Sequence, residues 1–137
     1  MGGVFMAFGL WIVMLLCNLI PPLTFIGMGQ KLTKDPPKTI DPMYGYRTVM
    51  SMKNQDTWEF AQAQYGRTCC KIGWALLPVT ALFLLLMWML RVPVESMDYC
   101  FWQVGFVLLE AVAVVIANYV PVERALKRNF DENGNRR

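Results

Sequence analysis

The stretch GYRTVMSMKNQDTWEFAQ, residues 45–62, lies between two apolar segments that are each long enough to cross a membrane. It mixes Arg, Thr, Ser, Asn, Trp and Gln at a spacing that an ordinary connecting loop does not need. Steps of three and four residues follow the period of an α-helix, so a helix here would bring polar and aromatic side chains to one face. That predicted face consists of Arg47, Ser51, Asn54, Trp58, Ala61, Gln62 and Tyr65.

The same stretch is similar to the signature of a known family. The similarity is carried by the run Gly45-Tyr46-Arg47-Thr48, by Ser51, Asn54 and Trp58, and by the pair Ala61-Gln62. This pattern resembles that of the SdpI family of small bacterial membrane proteins. The tail LKRNFDENGNRR, residues 126–137, resembles the ending common in that family. The resemblance covers most of the chain, from about the end of the first apolar segment onward.

The resemblance implies a membrane fold and a non-enzymatic role. Founding members of the SdpI family give immunity to a secreted peptide toxin and bind a transcriptional repressor at the membrane. The founder has a further membrane module in front of the signature, and this chain differs from it there. The resemblance implies that the partners are membrane lipid, a secreted peptide toxin or a cytoplasmic regulator, bound through Arg47, Thr48, Ser51, Asn54, Trp58 and Gln62.

The composition is typical of a membrane protein and not of an ordinary soluble domain. Of the 137 residues, 55% are hydrophobic, the mean hydropathy is +0.35, and the length suits a single domain. The net charge of +3 comes without a basic patch, so we expect no direct contact with nucleic acid. Histidine is absent, which removes the commonest general base and metal ligand. We therefore expect no catalytic residue, no metal site and no cofactor.

Three apolar segments predict an all-α integral membrane protein with three transmembrane helices. The spans are residues 4–28, 72–90 and 99–120, and the first is a retained helix because no Lys or Arg precedes it, as a cleaved signal peptide would require. Residues 29–71 form a cytoplasmic connector and signature, with an interfacial helical segment between the first and second spans. Residues 121–137 form a cytoplasmic tail.

Prolines and capping residues predict where these helices end. Pro21 and Pro22 remove backbone donors from the first span, so we expect a kink or break near Ile20. Residues 29–42, GQKLTKDPPKTIDP, predict a connector without regular structure, and Pro121 is expected to end the last helix. Asn54 or Asp56 is the expected N-cap of the helix that holds Trp58, with Asp56 and Glu59 spaced like a capping box.

Polar residues inside the spans are the second group of candidates. Glu110 lies almost at the midpoint of the third span, where a charged carboxylate costs about 2.5–3.5 kcal/mol, so we expect it to face the bundle, to be protonated or to be paired. Asn18, Gln103 and Asn118 are the other intramembrane polar candidates. Four cysteines show no metal-binding spacing and are expected to be small buried hydrophobes: Cys17, Cys69, Cys70 and Cys100.

The distribution of Lys and Arg predicts the orientation. Seven of the 13 lie in residues 29–71, five in the tail, one in the turn between the second and third spans, and none before the first span. Because positive charges accumulate on the cytoplasmic side, the signature and the tail are expected in the cytoplasm and the N terminus outside. The chain would then be a multi-pass protein of the cell membrane.

Three classes of function are compatible with parts of this sequence. The first is a binding and protection module with its docking face on the signature, for which Arg47 is the anchor. The second is a small transporter or channel subunit that uses Glu110, Asn18 and a proline-broken first helix; it requires a homo-oligomer or a cavity, because three helices enclose little volume. The third is a lipid enzyme, for which Asp56, Glu59 and Glu110 are too scattered. A simple interfacial anchor remains the alternative for the signature, because its aromatic residues suit a membrane surface.

The topology can be tested by labelling single cysteines in intact cells. We expect Lys38→Cys in the connector and Arg136→Cys in the tail to react only after the cytoplasmic side is opened, and Arg91→Cys to react from outside. Labelling of the first two positions from opposite sides would rule out three spans with connector and tail together.

Overall fold

The structure, a computed structural model, describes all 137 residues and contains three helices. They are α1 (Gly2–Lys34), α2 (Gln55–Met89) and α3 (Met97–Asn129). Each contains an 18-residue window with a mean hydropathy of 2.1 or more, and each is long and apolar enough to cross a membrane. The only extended pairing is an isolated antiparallel bridge between Phe130 and Arg136. The predicted all-α fold with three candidate spans is confirmed.

The first helix is longer than predicted and is not broken by its prolines. α1 continues through Pro21 and Pro22 to Lys34, so the predicted break near Ile20 is wrong, and the first six residues of the predicted connector are helical. A proline removes a single backbone donor, whereas a broken helix in hydrocarbon would leave several groups without water. Pro22 is also buried against α2, where its carbonyl oxygen lies close to Gly73. The helix therefore stays continuous.

The third helix also passes its proline. α3 runs through Pro121 to Asn129, so the prediction that Pro121 ends the helix is wrong. Beyond the proline, Val122 and Leu126 are fully buried in a cluster with Tyr46, Ala61 and Phe130. This packing stabilises two further helical turns, and the tail begins only at Phe130.

The signature stretch is only partly helical. α2 begins at Gln55, and residues 35–54 form turns and bends without a helix of their own, so the predicted single helical face is wrong for Arg47 and Ser51. Asn54 is the N-cap, as predicted, and its side chain accepts a hydrogen bond from the backbone N–H of Thr57. The Thr57 hydroxyl accepts in return from the N–H of Asn54, which completes a capping box in place of the predicted Asp56 and Glu59.

Close contact between α1 and α2 depends on three glycines. A Cβ on Gly29 would lie 2.6 Å from the backbone nitrogen of Cys70, and one on Gly66 would lie 2.9 Å from the Cβ of Leu32. A Cβ on Gly73 would lie 2.8 Å from the carbonyl oxygen of Pro22. Small residues of this kind let two helix backbones approach in a membrane, where no hydrophobic force drives the helices together.

α2 lies between the other two helices. Its backbone packs directly against α1 and against α3, while α1 and α3 meet through the side-chain hydrogen bond from Gln103 to Asn18. Residues 90–96 turn the chain from α2 into α3, so these two helices form a hairpin. A buried cluster of Met87, Val94 and Tyr99 closes that end of the bundle. The connector and the tail lie at the opposite end.

The prediction that all four cysteines are buried holds for one of them. Cys69 is buried and Cys70 partly so, but Cys17 and Cys100 are exposed on the outer faces of α1 and α3. In hydrocarbon an outward-facing thiol costs little, because a free cysteine behaves as a small hydrophobe. All four are free thiols.

The glycine contact predicts a matched pair of variants in α1. We expect Gly29→Ala to lower the free energy of unfolding in detergent by about 1–3 kcal/mol, because its methyl group must displace the backbone of α2. Gly27→Ala is the control, since nothing lies within 4 Å of a Cβ at that position. Equal stability of the two variants would show that α1 and α2 are not in backbone contact.

Candidate functional site

The connector is attached to α2 by the buried side chain of Gln62. Its Oε1 accepts a hydrogen bond of 2.8 Å from the backbone N–H of Tyr46, and its Nε2 donates one of 2.8 Å to the carbonyl oxygen of Tyr46. Gly45 precedes this contact with φ of +94°, and a Cβ there would lie 2.4 Å from Oε1 of Gln62. Glycine is therefore required at position 45 for both backbone conformation and space.

The side chain of Tyr46 extends the attachment to α3. Its hydroxyl donates a hydrogen bond of 3.1 Å to Oε1 of Glu123, and the hydroxyl of Thr48 donates one of 2.6 Å to the same oxygen. Burial raises the pKa of Tyr46 well above its ordinary value, and the Glu123 carboxylate raises it further, so the hydroxyl remains a donor. Glu123 itself is 9% exposed. One carboxylate thus connects the connector to the end of α3.

A local turn holds Thr48 in place. The backbone N–H of Thr48 donates to Oγ of Ser51 at 2.7 Å, and the N–H of Ser51 donates to Oγ1 of Thr48 at 3.2 Å. Oγ of Ser51 in turn donates to the carbonyl oxygen of Tyr46 at 3.2 Å. Ser51 is fully buried, so it shapes the turn and does not face outward.

Trp58 closes the other side of the connector. Its indole Nε1 donates to the carbonyl oxygen of Pro37 at 2.9 Å, and the side chain is fully buried. An aromatic residue that anchors a protein in the headgroup region has to face the membrane. The interpretation of Trp58 as an interfacial anchor is therefore wrong.

The tail folds back onto the start of α2. The Nδ2 of Asn54 donates to the carbonyl oxygen of Gly134 at 2.7 Å, and Arg136 forms a two-point ion pair with Asp56 at 2.8 and 2.9 Å. Phe130 is buried edge-on against Phe60, with ring centroids 5.4 Å apart. Between α1 and α2 the structure leaves residues 35–54 as the connector, and we call the connector together with residues 130–137 the cap. The cap closes one end of the bundle with both connector and tail.

Most of the predicted signature residues are used inside the cap. Ser51, Trp58 and Gln62 are fully buried, and Asn54 is partly buried as the helix cap. Thr48 is half-buried on Glu123, whereas Arg47 is exposed and donates one hydrogen bond to the carbonyl oxygen of Pro42. Of the six, the Arg47 side chain is therefore the one most available to a partner.

An open groove of about 770 Å³ runs between the connector and the end of α3. It contains Glu123 and other charged residues from the three segments that meet there, which are the connector, α3 and the tail. We call this feature the groove. Its lining consists of Thr48, Val49, Met50, Lys53, Tyr119, Glu123, Lys127, Phe130, Asp131, Glu132, Asn133 and Arg137.

The predicted intramembrane polar residues do not form one cluster. Nε2 of Gln103 donates to Oδ1 of Asn18 at 2.8 Å, and Oδ1 of Asn118 accepts from the thiol of Cys69 at 3.4 Å. Glu110 is buried and faces the bundle, as predicted, with Oγ1 of Thr80 at 3.5 Å. The first contact joins α1 to α3 and the other two join α2 to α3, at positions seven and eight residues apart along α3.

Two residues of the site were missed by sequence reasoning. Tyr46 belongs to the quoted signature, but nothing in the sequence indicated that its hydroxyl would form a hydrogen bond to α3. Glu123 was missed because Pro121 was taken as the helix end. An acidic residue one turn beyond an apolar span was the available signal.

Comparison with known proteins gives one match. The model of the SdpI/YfhL protein family matches residues 38–122, which include most of the connector, α2 and most of α3. No curated protein and no solved structure matches the chain significantly.

The attachment of the connector predicts the effect of removing Gln62. We expect Gln62→Leu, which keeps the volume, to leave the buried N–H of Tyr46 unpaired at a cost of about 1–3 kcal/mol, while the C=O of Tyr46 keeps only the hydrogen bond from Ser51. Limited proteolysis should then cut the connector much faster than in the wild type. Gln64→Leu, two positions on, is the control because the Gln64 side chain makes no hydrogen bond. Unchanged cleavage in Gln62→Leu would contradict the attachment.

Proposed function

The chain belongs to the SdpI/YfhL protein family, and from that membership we propose that it is a non-enzymatic membrane protein that protects the membrane against a peptide toxin or relays a signal by binding a cytoplasmic partner. The cap is the surface that carries this role. The family match includes the whole connector from residue 38 onward, and this is the segment that the buried hydrogen bonds hold against α2 and α3.

One observation supports partner binding most directly. Arg47 is exposed, it forms no ion pair, and its guanidinium keeps most of its donors free beside a backbone that Gln62 and Glu123 hold in place. A guanidinium offers a planar fork that matches a carboxylate or a phosphate. A preorganised arginine loses little freedom on binding, which favours a role as the anchor for a partner.

The charge distribution supports a cytoplasmic cap. Twelve of the 13 Lys and Arg residues lie in residues 29–71 and in the tail, and the contacts between Asn54 and Gly134 and between Asp56 and Arg136 bring these two regions to one end of the bundle. The chain has two candidate spans, α2 and α3, between the connector and the tail, so both regions would lie on the same side of the membrane. We propose that the cap faces the cytoplasm and that the turn at residues 90–96 faces outward.

The transporter alternative has less support. It relied on an opened backbone at Pro21 and Pro22, where α1 is continuous, and on polar residues that instead pair one by one at different levels along α3.

Deletion of the gene followed by challenge with a panel of membrane-active peptides tests the proposed function. We expect the deletion strain to be more sensitive to at least one peptide, and the intact gene to restore resistance. A deletion strain indistinguishable from the parent across the panel, with no change in gene expression either, would contradict both forms of the proposal.

Arg47→Lys tests the anchor separately from the fold. A lysine keeps the positive charge but lacks the planar fork, so we expect normal expression and topology with loss of protection or of partner binding. The expected loss is about 1.5–3 kcal/mol, on the order of ten- to a hundredfold in affinity. Lys38→Arg in the same connector is the control and should have no effect. Wild-type behaviour of Arg47→Lys in every assay that the deletion fails would rule out Arg47 as the anchor.

A further inference from the structure

The groove contains both signs of charge without an ion pair between them. Lys53, Lys127 and Arg137 supply cations from the connector, from α3 and from the tail, and three carboxylates lie among them, those of Glu123, Asp131 and Glu132. The ion pair between Arg136 and Asp56 is the only one in the protein, so none of these groove residues is paired within 4.0 Å. Such unpaired charges of both signs are suited to a ligand that carries both signs itself.

Glu123 gives the groove a specific binding group. It is nine-tenths buried, and the hydroxyls of Tyr46 and Thr48 both donate to its Oε1. Its Oε2 has no protein donor, although the residue lines the groove. Oε2 is not among the buried unpaired side-chain atoms of the protein, so it is open to a ligand in the groove. An ammonium group with N–H donors would satisfy Oε2.

The position of the groove points to a lipid. Tyr119 lies at the end of the apolar part of α3 and is half-exposed on the groove, a position typical of aromatic residues at a membrane surface. Val49, also on the groove, is strongly exposed although it is apolar. Lys127 lies two helical turns beyond Tyr119 on α3, on the polar side. The groove therefore opens at the depth of lipid headgroups, with an apolar side for acyl chains.

We propose that the groove binds the headgroup of an ethanolamine phospholipid. The primary ammonium donates to Oε2 of Glu123, and the phosphate is held by Lys53, Lys127 and Arg137. A choline headgroup lacks N–H donors for Oε2, and a glycerol headgroup lacks the positive charge. The inference goes beyond the proposed function, because lipid binding can be measured without a toxin or a partner.

The test uses the full chain, purified in detergent and offered equal amounts of phosphatidylethanolamine, phosphatidylcholine and phosphatidylglycerol. Native mass spectrometry counts the lipids that remain bound. We expect phosphatidylethanolamine to be retained about tenfold or more over phosphatidylcholine. Glu123→Gln keeps an acceptor for Tyr46 and Thr48 but loses the charge, so it should abolish that preference. Glu95→Gln, an exposed acid in the turn at the other end, is the control and should keep it.

A second variant keeps the proposal testable if Glu123→Gln does not fold. Lys127→Gln, on the exposed surface of α3, should reduce the retention of phosphatidylethanolamine and phosphatidylglycerol together. Equal retention of all three lipids by the wild type would overturn the proposal and leave a peptide as the occupant of the groove. Tighter retention of phosphatidylglycerol, or an unchanged preference in Glu123→Gln, would also overturn it.

Discussion

The double hydrogen bond between Gln62 and the backbone of Tyr46 is the interaction on which the cap depends. A side-chain amide carries both a donor group and an acceptor group, and here both meet the matching groups of a single residue, 16 positions away in the chain. Once Tyr46 is fixed, its hydroxyl reaches Glu123 and ties α3 to the same point. The buried position strengthens these bonds and makes their loss costly, because an unpaired backbone group in the interior finds no water.

Membrane packing explains why the rest of the fold is continuous where the sequence suggests interruption. Helices in hydrocarbon keep their backbone hydrogen bonds because no water replaces them, so Pro21, Pro22 and Pro121 remain inside α1 and α3. Close backbone contact at Gly29, Gly66 and Gly73 then holds α1 against α2 through dispersion forces. The cap adds directional hydrogen bonds, which apolar contacts lack, and these bonds fix the connector on α2 and α3.

Features of the fold that depend on hydropathy and local capping could be predicted from the sequence. Features that depend on tertiary contacts could not. Three spans, the Asn54 cap and the inward-facing Glu110 follow from length, hydropathy and capping chemistry. The prediction that helices end at prolines was wrong. At Pro121, packing around Val122 and Leu126 overrides the local propensity of proline to end a helix. The helical period also misplaced Ser51, because hydroxyl and amide side chains in residues 46–54 bond to the backbone and form turns instead.

Hydrogen exchange of the Tyr46 amide, followed by NMR in detergent micelles, tests the attachment of the connector most directly. If Gln62 accepts this N–H in the folded protein, the Tyr46 amide exchanges as slowly as the buried backbone of α2 around Cys69. Val49, in the same connector, makes no backbone hydrogen bond and gives the rate of an open loop. Exchange of Tyr46 at the rate of Val49 would contradict the account, because the connector would then lie unattached over the end of the bundle.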